Sequence, residues 1–188
     1  MNEPKAEKPG TDSSKIRTYI ALALVGVAAI LLVVWLVSDD DDPSAGGSGE
    51  AEIVSVDALE EAVAGSSEPV YWAGEQDGAE IELSEPGEGR TYVRYLTDGA
   101  EAGDPRAEFL TVGTYLQPDA VEALRRQAKG SEGVLGTAPG KAVVYFNRKE
   151  PKSVYLAYPG VDVQIEVFDP NFTRALQLVN SGQIVPVG

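Results

Sequence analysis

Histidine and cysteine are both missing from the 188 residues, and methionine occurs once. Without histidine there is no Ser-His-Asp triad and no imidazole ligand for a metal. Without cysteine there is no thiol nucleophile, disulfide, zinc knuckle or lipid-attachment site. Positive charge is scarce as well: 15 Lys and Arg stand against 30 Asp and Glu, a net charge of −15. So acidic a chain is a poor match for a phosphate backbone, and no nucleic-acid partner is expected. A phosphate-binding loop is lacking too. Residues 136–141 imitate one, but the spacing is wrong and Ala142 follows Lys141. No cofactor is expected.

One long apolar run is present. Residues 19–37 form 19 positions without a charge, with Tyr19 and Trp35 near the two ends. At about 1.5 Å per residue, a helix of this length roughly matches the ~30 Å hydrocarbon core. Aromatic rings with a polar edge favour the headgroup level. Lys5, Lys8, Lys15 and Arg17 precede the run, and the next basic residue is Arg90. The positive-inside rule then places residues 1–18 in the cytoplasm and everything after the span outside. A cleaved signal peptide is the rival reading. Its apolar region is usually shorter, and the best cleavage position, after Ser38, carries Leu36 where a small residue belongs. The run is read as an uncleaved single-pass membrane anchor.

Residues 38–52 hold four consecutive aspartates, Asp39 to Asp42, followed by Pro, Ser, Ala and Gly. This composition cannot bury a core and is expected to be a disordered acidic linker. A calcium loop needs carboxylates alternating about a turn-forming glycine, which this run lacks.

Residues 53–188 are enough for one domain with its own core. The pattern predicts three helices. One covers 57–64, with Asp57 and Glu60 spaced like a capping box and Gly65 beyond the end. The second covers 118–129, opening on Pro118 and stopping at Gly130; the third covers 170–181, with Asp169 as cap and Gly182 beyond the end. Strands are expected at 80–83, 91–96, 109–115, 142–146, 154–158 and 161–167, with a short one at 70–72. In the last long strand Val161, Val163, Ile165 and Val167 alternate with Asp162, Gln164 and Glu166. Such alternation predicts a mostly antiparallel sheet with one wet face. The expected class is therefore α+β: one transmembrane helix, then a mostly antiparallel sheet with about three helices packed on one side of it.

Charge is unevenly distributed along the outer part. Residues 38–124 sum to −19 and residues 153–188 to −2, but residues 125–152 sum to +5. Arg125, Arg126 and Lys129 lie on the second helix, whereas Arg148, Lys149 and Lys152 lie in a hairpin tip. If the fold brings them together, they make a surface for an anionic polymer, a lipid headgroup or an acidic partner protein. The bland reading is a solvated helix face and a hairpin tip guarded against edge pairing. Asp98, Glu101 and Asp104 share one loop, and paired carboxylates are what glycoside hydrolysis requires. An acidic sequence makes such clusters by chance, and Arg106 stands ready to pair with one of them. Tyr71, Trp72, Tyr92, Tyr95, Tyr155 and Tyr158 fall in strands, where packing explains them as well as sugar stacking does. Asn171, Phe172 and Thr173 match the glycosylation triplet, but they open a helix. No catalytic, cofactor-binding or metal-ligating residue is assigned.

The segments 69–74, 103–106, 109–115 and 167–170 resemble those of uncharacterised single-pass membrane-anchored envelope proteins of actinobacteria. The resemblance spans about residues 55–188. It implies an envelope location and carries no activity or site residues with it. The expected function is a non-catalytic binding domain on the outer face of a bacterial envelope, with the membrane and an envelope protein or anionic polymer as partners. A carboxylate-dependent hydrolase of envelope polysaccharide is the alternative.

Overall fold

The computed structural model describes residues 50–130 and 132–188. The tail at 1–18, the expected span at 19–37 and the linker up to residue 49 lie outside them. Among the described residues no helix is long and apolar enough to cross a membrane.

Eight strands make one antiparallel sheet. In chain order they are β1 (Glu52–Val54), β3 (Glu80–Gly87), β4 (Arg90–Leu96), β5 (Thr111–Leu116), β6 (Gly133–Ala138), β7 (Ala142–Asn147), β8 (Ser153–Ala157) and β9 (Val163–Phe168). Their spatial order is β1-β3-β4-β5-β9-β8-β7-β6. Two short strands, β2 (Tyr71–Trp72) and β10 (Val185–Pro186), pair separately. Among the described residues the α-helices are α1 (Val56–Val63), α2 (Ala120–Gln127) and α3 (Phe172–Asn180).

The α+β class and the antiparallel sheet are as expected, but the helices do not share one side. The main core joins Leu59 and Val63 of α1 and Ala175, Leu178 and Val179 of α3 to Ile81, Val93, Val112, Val144, Val154 and Ile165. A second cluster joins Ala120 and Leu124 of α2 to Val143 and Ala157. Val143 and Val144 are neighbours on one strand, so their side chains leave opposite faces. Helix α2 therefore covers the face that α1 and α3 leave open. Alternation alone reveals two faces of a sheet; it does not reveal which helix each will receive.

That second face is also drier than expected. Glu166 is only 6% exposed. Loop 97–110 covers it at the β3–β4 side, where Gly103 N donates to Glu82. Helix α2 covers the β7–β8 side.

Local signals explain the helix ends. Ser55 caps α1 by accepting from Ala58 N at 3.2 Å. Asn171, not Asp169, caps α3 by accepting from Thr173 N, while Asp169 Oδ1 accepts from Asn171 N. The cap thus sits two residues later than expected, and the carboxylate braces the turn that leads into it.

Candidate functional site

Strand β6 is the last strand of the sheet, and a distinct surface lies at each of its ends. At its start the two basic segments meet. Gly133, the first residue of β6, pairs with Asn147 at the end of β7. Arg148 N donates to Glu132 O at 2.8 Å, and Gly133 N to Gly130 O at 3.2 Å. Helix α2 lies so close that a Cβ on Gly133 would sit 2.7 Å from Ala128 Cα. Only glycine permits this approach, which seats the end of α2 beside the β7–β8 hairpin tip. Asn147 Oδ1 shapes the tip by accepting from Lys149 N and Glu150 N.

All six expected basic residues are exposed here. Arg125 pairs with Glu122 along the helix. Arg126, Lys129, Arg148, Lys149 and Lys152 make no ion pair among the described residues. Five uncommitted cations therefore occupy one corner of an acidic domain, with Glu132 and Glu150 among them.

At the other end of β6, the turn Pro139–Lys141 opens on a cavity of about 640 Å³. Its walls include Tyr71 and Tyr158, whose rings stack at 5.5 Å and 8°. Pro139, Pro186 and Ile184 add apolar surface, and Lys141 stands at the rim. Tyr158 Oη donates to Ile184 O at 3.2 Å. Burial pushes the Tyr71 hydroxyl up to about 12, with Tyr158 adding to the shift. Gly140 and Lys141 both have left-handed backbones, φ 73° and 64°. A lysine is seldom held there, and the conformation costs roughly 1 kcal/mol or more. No Asp or Glu lines the cavity.

The buried carboxylates elsewhere are committed. Glu82, Glu166 and Asp169 are the buried ones among the described residues. Glu82 Oε1 accepts from Arg94 Nη1 at 2.7 Å, and its Oε2 from Gly103 N at 2.6 Å. Glu166 Oε2 accepts from Tyr115 Oη at 2.7 Å, and its Oε1 from Tyr155 Oη at 3.1 Å. Asp169 accepts from Asn171 N and from Arg174. Gly113 makes the Glu166 arrangement possible: a Cβ there would lie 2.9 Å from Tyr115 Oη. Burial, and then the Glu166 charge, drive the Tyr115 hydroxyl far above the ordinary tyrosine value. Each of these three buried carboxylates is thus taken up by donors within the domain.

In the loop considered for catalysis, Asp98 and Glu101 are exposed. Asp104 is held by Arg106, with Nη2 to Oδ2 at 2.8 Å. That guanidinium lowers the Asp104 carboxyl to about 2. A depressed folded-state value means the pair is intact above pH ~4 and is lost as pH falls toward ~2. A carbon-detected NMR titration is expected to show the Asp104 carboxyl titrating near the acid end, and R106Q to return it to the ordinary range. An ordinary titration in the wild-type chain would contradict the pairing.

Of the tyrosines, Tyr71 and Tyr95 belong to the core, as packing required. Tyr92, Tyr155 and Tyr158 are half-buried. Sequence reasoning missed the cavity, because Tyr71, Lys141, Tyr158 and Ile184 come from four separate segments. The left-handed lysine leaves no sequence signal. No protein-family model matches the chain, and no curated protein or solved structure matches it either.

Proposed function

We propose that residues 50–188 form the non-catalytic binding domain of a single-pass membrane protein, displayed on the outer face of a bacterial envelope. Residues 19–37 serve as its anchor. The basic corner holds an anionic envelope component, an acidic protein or an anionic polymer. The carrying observation is the junction of Arg148 N with Glu132 O, which unites the α2 and hairpin-tip cations. The commitment of every buried carboxylate supports a binding role over hydrolysis.

The domain's overall negative charge opposes this partner at long range. At 0.1 M salt the Debye length is about 10 Å, so the distant acidic surface is screened while contacts at the corner persist. The test is binding of fluorescein-labelled poly-glutamate to the full-length chain in detergent at 0.1 M salt. Exchange of Arg126, Lys129, Arg148, Lys149 and Lys152 for Gln is expected to weaken binding by more than ~10-fold, at up to ~1 kcal/mol per exposed charge. Unchanged affinity in this variant would remove the corner from consideration.

A further inference from the structure

The free edge of β6 has none of the usual guards. Its six residues, Gly133–Ala138, include no charge and no proline, and they pair with β7 without a bulge. Leu135 is 48% exposed, Gly136 and Thr137 are exposed, and a Cβ on Gly136 would meet nothing within 4 Å. Among the described residues, the backbone of 134–138 makes no hydrogen bond outside the β6–β7 ladder. The opposite edge is different. Strand β1 has three residues, includes Glu52 and follows Glu50. Natural sheets blunt their edges with charge, brevity or proline, because an open row of N–H and C=O groups pairs with any suitable strand. Among the described residues, one edge is blunted and the other is left open.

The open edge leads directly into the cavity. Ala138 ends the strand, and Pro139, Gly140 and Lys141 form both the following turn and part of the cavity wall. Lys141 is exposed and makes no ion pair among the described residues. The stacked Tyr71–Tyr158 pair presents an apolar wall beside it. The Tyr71 hydroxyl has no hydrogen-bond partner among the described residues, although no buried side-chain polar atom is left unsatisfied. Tyr71 itself lines the cavity.

We infer that β6 and the cavity together receive an extended segment of a partner protein. The segment adds to the sheet as an antiparallel ninth strand. Near Ala138 it carries an apolar side chain that enters the cavity and an Asp or Glu side chain that meets Lys141. Backbone pairing supplies affinity that tolerates many sequences; the cavity and Lys141 select among them. Charge complementarity chooses the occupant: among the described residues, the one charged side chain lining the cavity is a cation, Lys141. The inference goes beyond the basic corner and does not depend on it.

The test uses the full-length chain in detergent and a capped nine-residue peptide of alternating Val and Thr, with Glu at both ends and a fluorescent label. Fluorescence anisotropy is expected to show saturable binding. L135E and K141Q, both at exposed positions, are each expected to weaken it by about tenfold with the melting temperature unchanged. A version of the peptide with a central Pro is expected not to bind, because proline cannot complete the ladder. Equal binding of the Pro-containing peptide, or of both variants, overturns the inference. So does a wild-type dimer that L135E dissolves, since the edge would then belong to a second copy. If only the variant neutralised at the basic corner loses the peptide, the corner is supported and the edge site is rejected. If poly-glutamate binding fails while the peptide still binds through Leu135 and Lys141, the edge site stands alone.

Discussion

Replacing Arg94 with Met is expected to destabilise the domain by about 3–5 kcal/mol. Arg94 and Glu82 face each other on β4 and β3 and are both buried. Removing the cation leaves the Glu82 carboxylate in a dry site with Gly103 N as its remaining donor. The loss extends to loop 97–110. Arg94 Nη2 donates to Asp104 O at 2.8 Å and Arg106 O at 3.2 Å, and both guanidinium groups lie over the Phe109 ring. A fall in melting temperature of roughly 10 °C or more should follow, with faster amide exchange across the loop. The double variant E82L/R94M should recover much of the loss, because removing both charges also removes the uncompensated one. A single variant within ~1 kcal/mol of wild type would mean that the pair contributes little.

Shortening Leu124 to Ala is expected to cost about 2–5 kcal/mol and, in addition, to weaken poly-glutamate binding although no charge is removed. Helix α2 is held to the sheet through two buried residues, Ala120 and Leu124, against Val143 and Ala157. Leu124 is fully buried and is the larger of the two side chains. Its loss loosens the element that presents Arg126 and Lys129 to the hairpin tip. Hydrogen exchange should show α2 opening well before α3, whose Ala175, Leu178 and Val179 sit in the larger core. Uniform protection of the two helices would show that α2 is held by something other than this contact.

Much of the domain was legible in its sequence where signals were local. Asp57, Gly65, Gly130 and Gly182 marked helix ends to within a few residues, and the alternation at 161–167 marked β9. The acid–base pairing of Asp104 with Arg106 was also local, two residues apart. What escaped depended on distant partners. Strand β6, Gly-Val-Leu-Gly-Thr-Ala, has two glycines and no alternation, and becomes a strand only through β7. Glu166 read as solvent-facing because Tyr115 and Tyr155 reach it from other strands. Of the candidate sites, the six basic residues were visible as a charge shift. Their union required Gly133 to let α2 close on β6, which no charge pattern encodes.

The strand order also constrains how the sheet can assemble. Strands β3, β4 and β5 are neighbours in the chain and in space, and so are β6, β7, β8 and β9. These two hairpin ladders meet at one seam, β5 against β9, where Leu116 pairs with Val163 and Thr111 with Phe168. Within the ladders the longest connection is loop 97–110, whereas the seam must close the far longer span from Leu116 to Val163. The chain therefore carries two quick local steps and one slow distant one, and the slow step brings Val112 against Val167 at the centre of the core. Until that seam forms, the apolar faces of both halves stand open to water, and this is the interval in which a chaperone has something to hold.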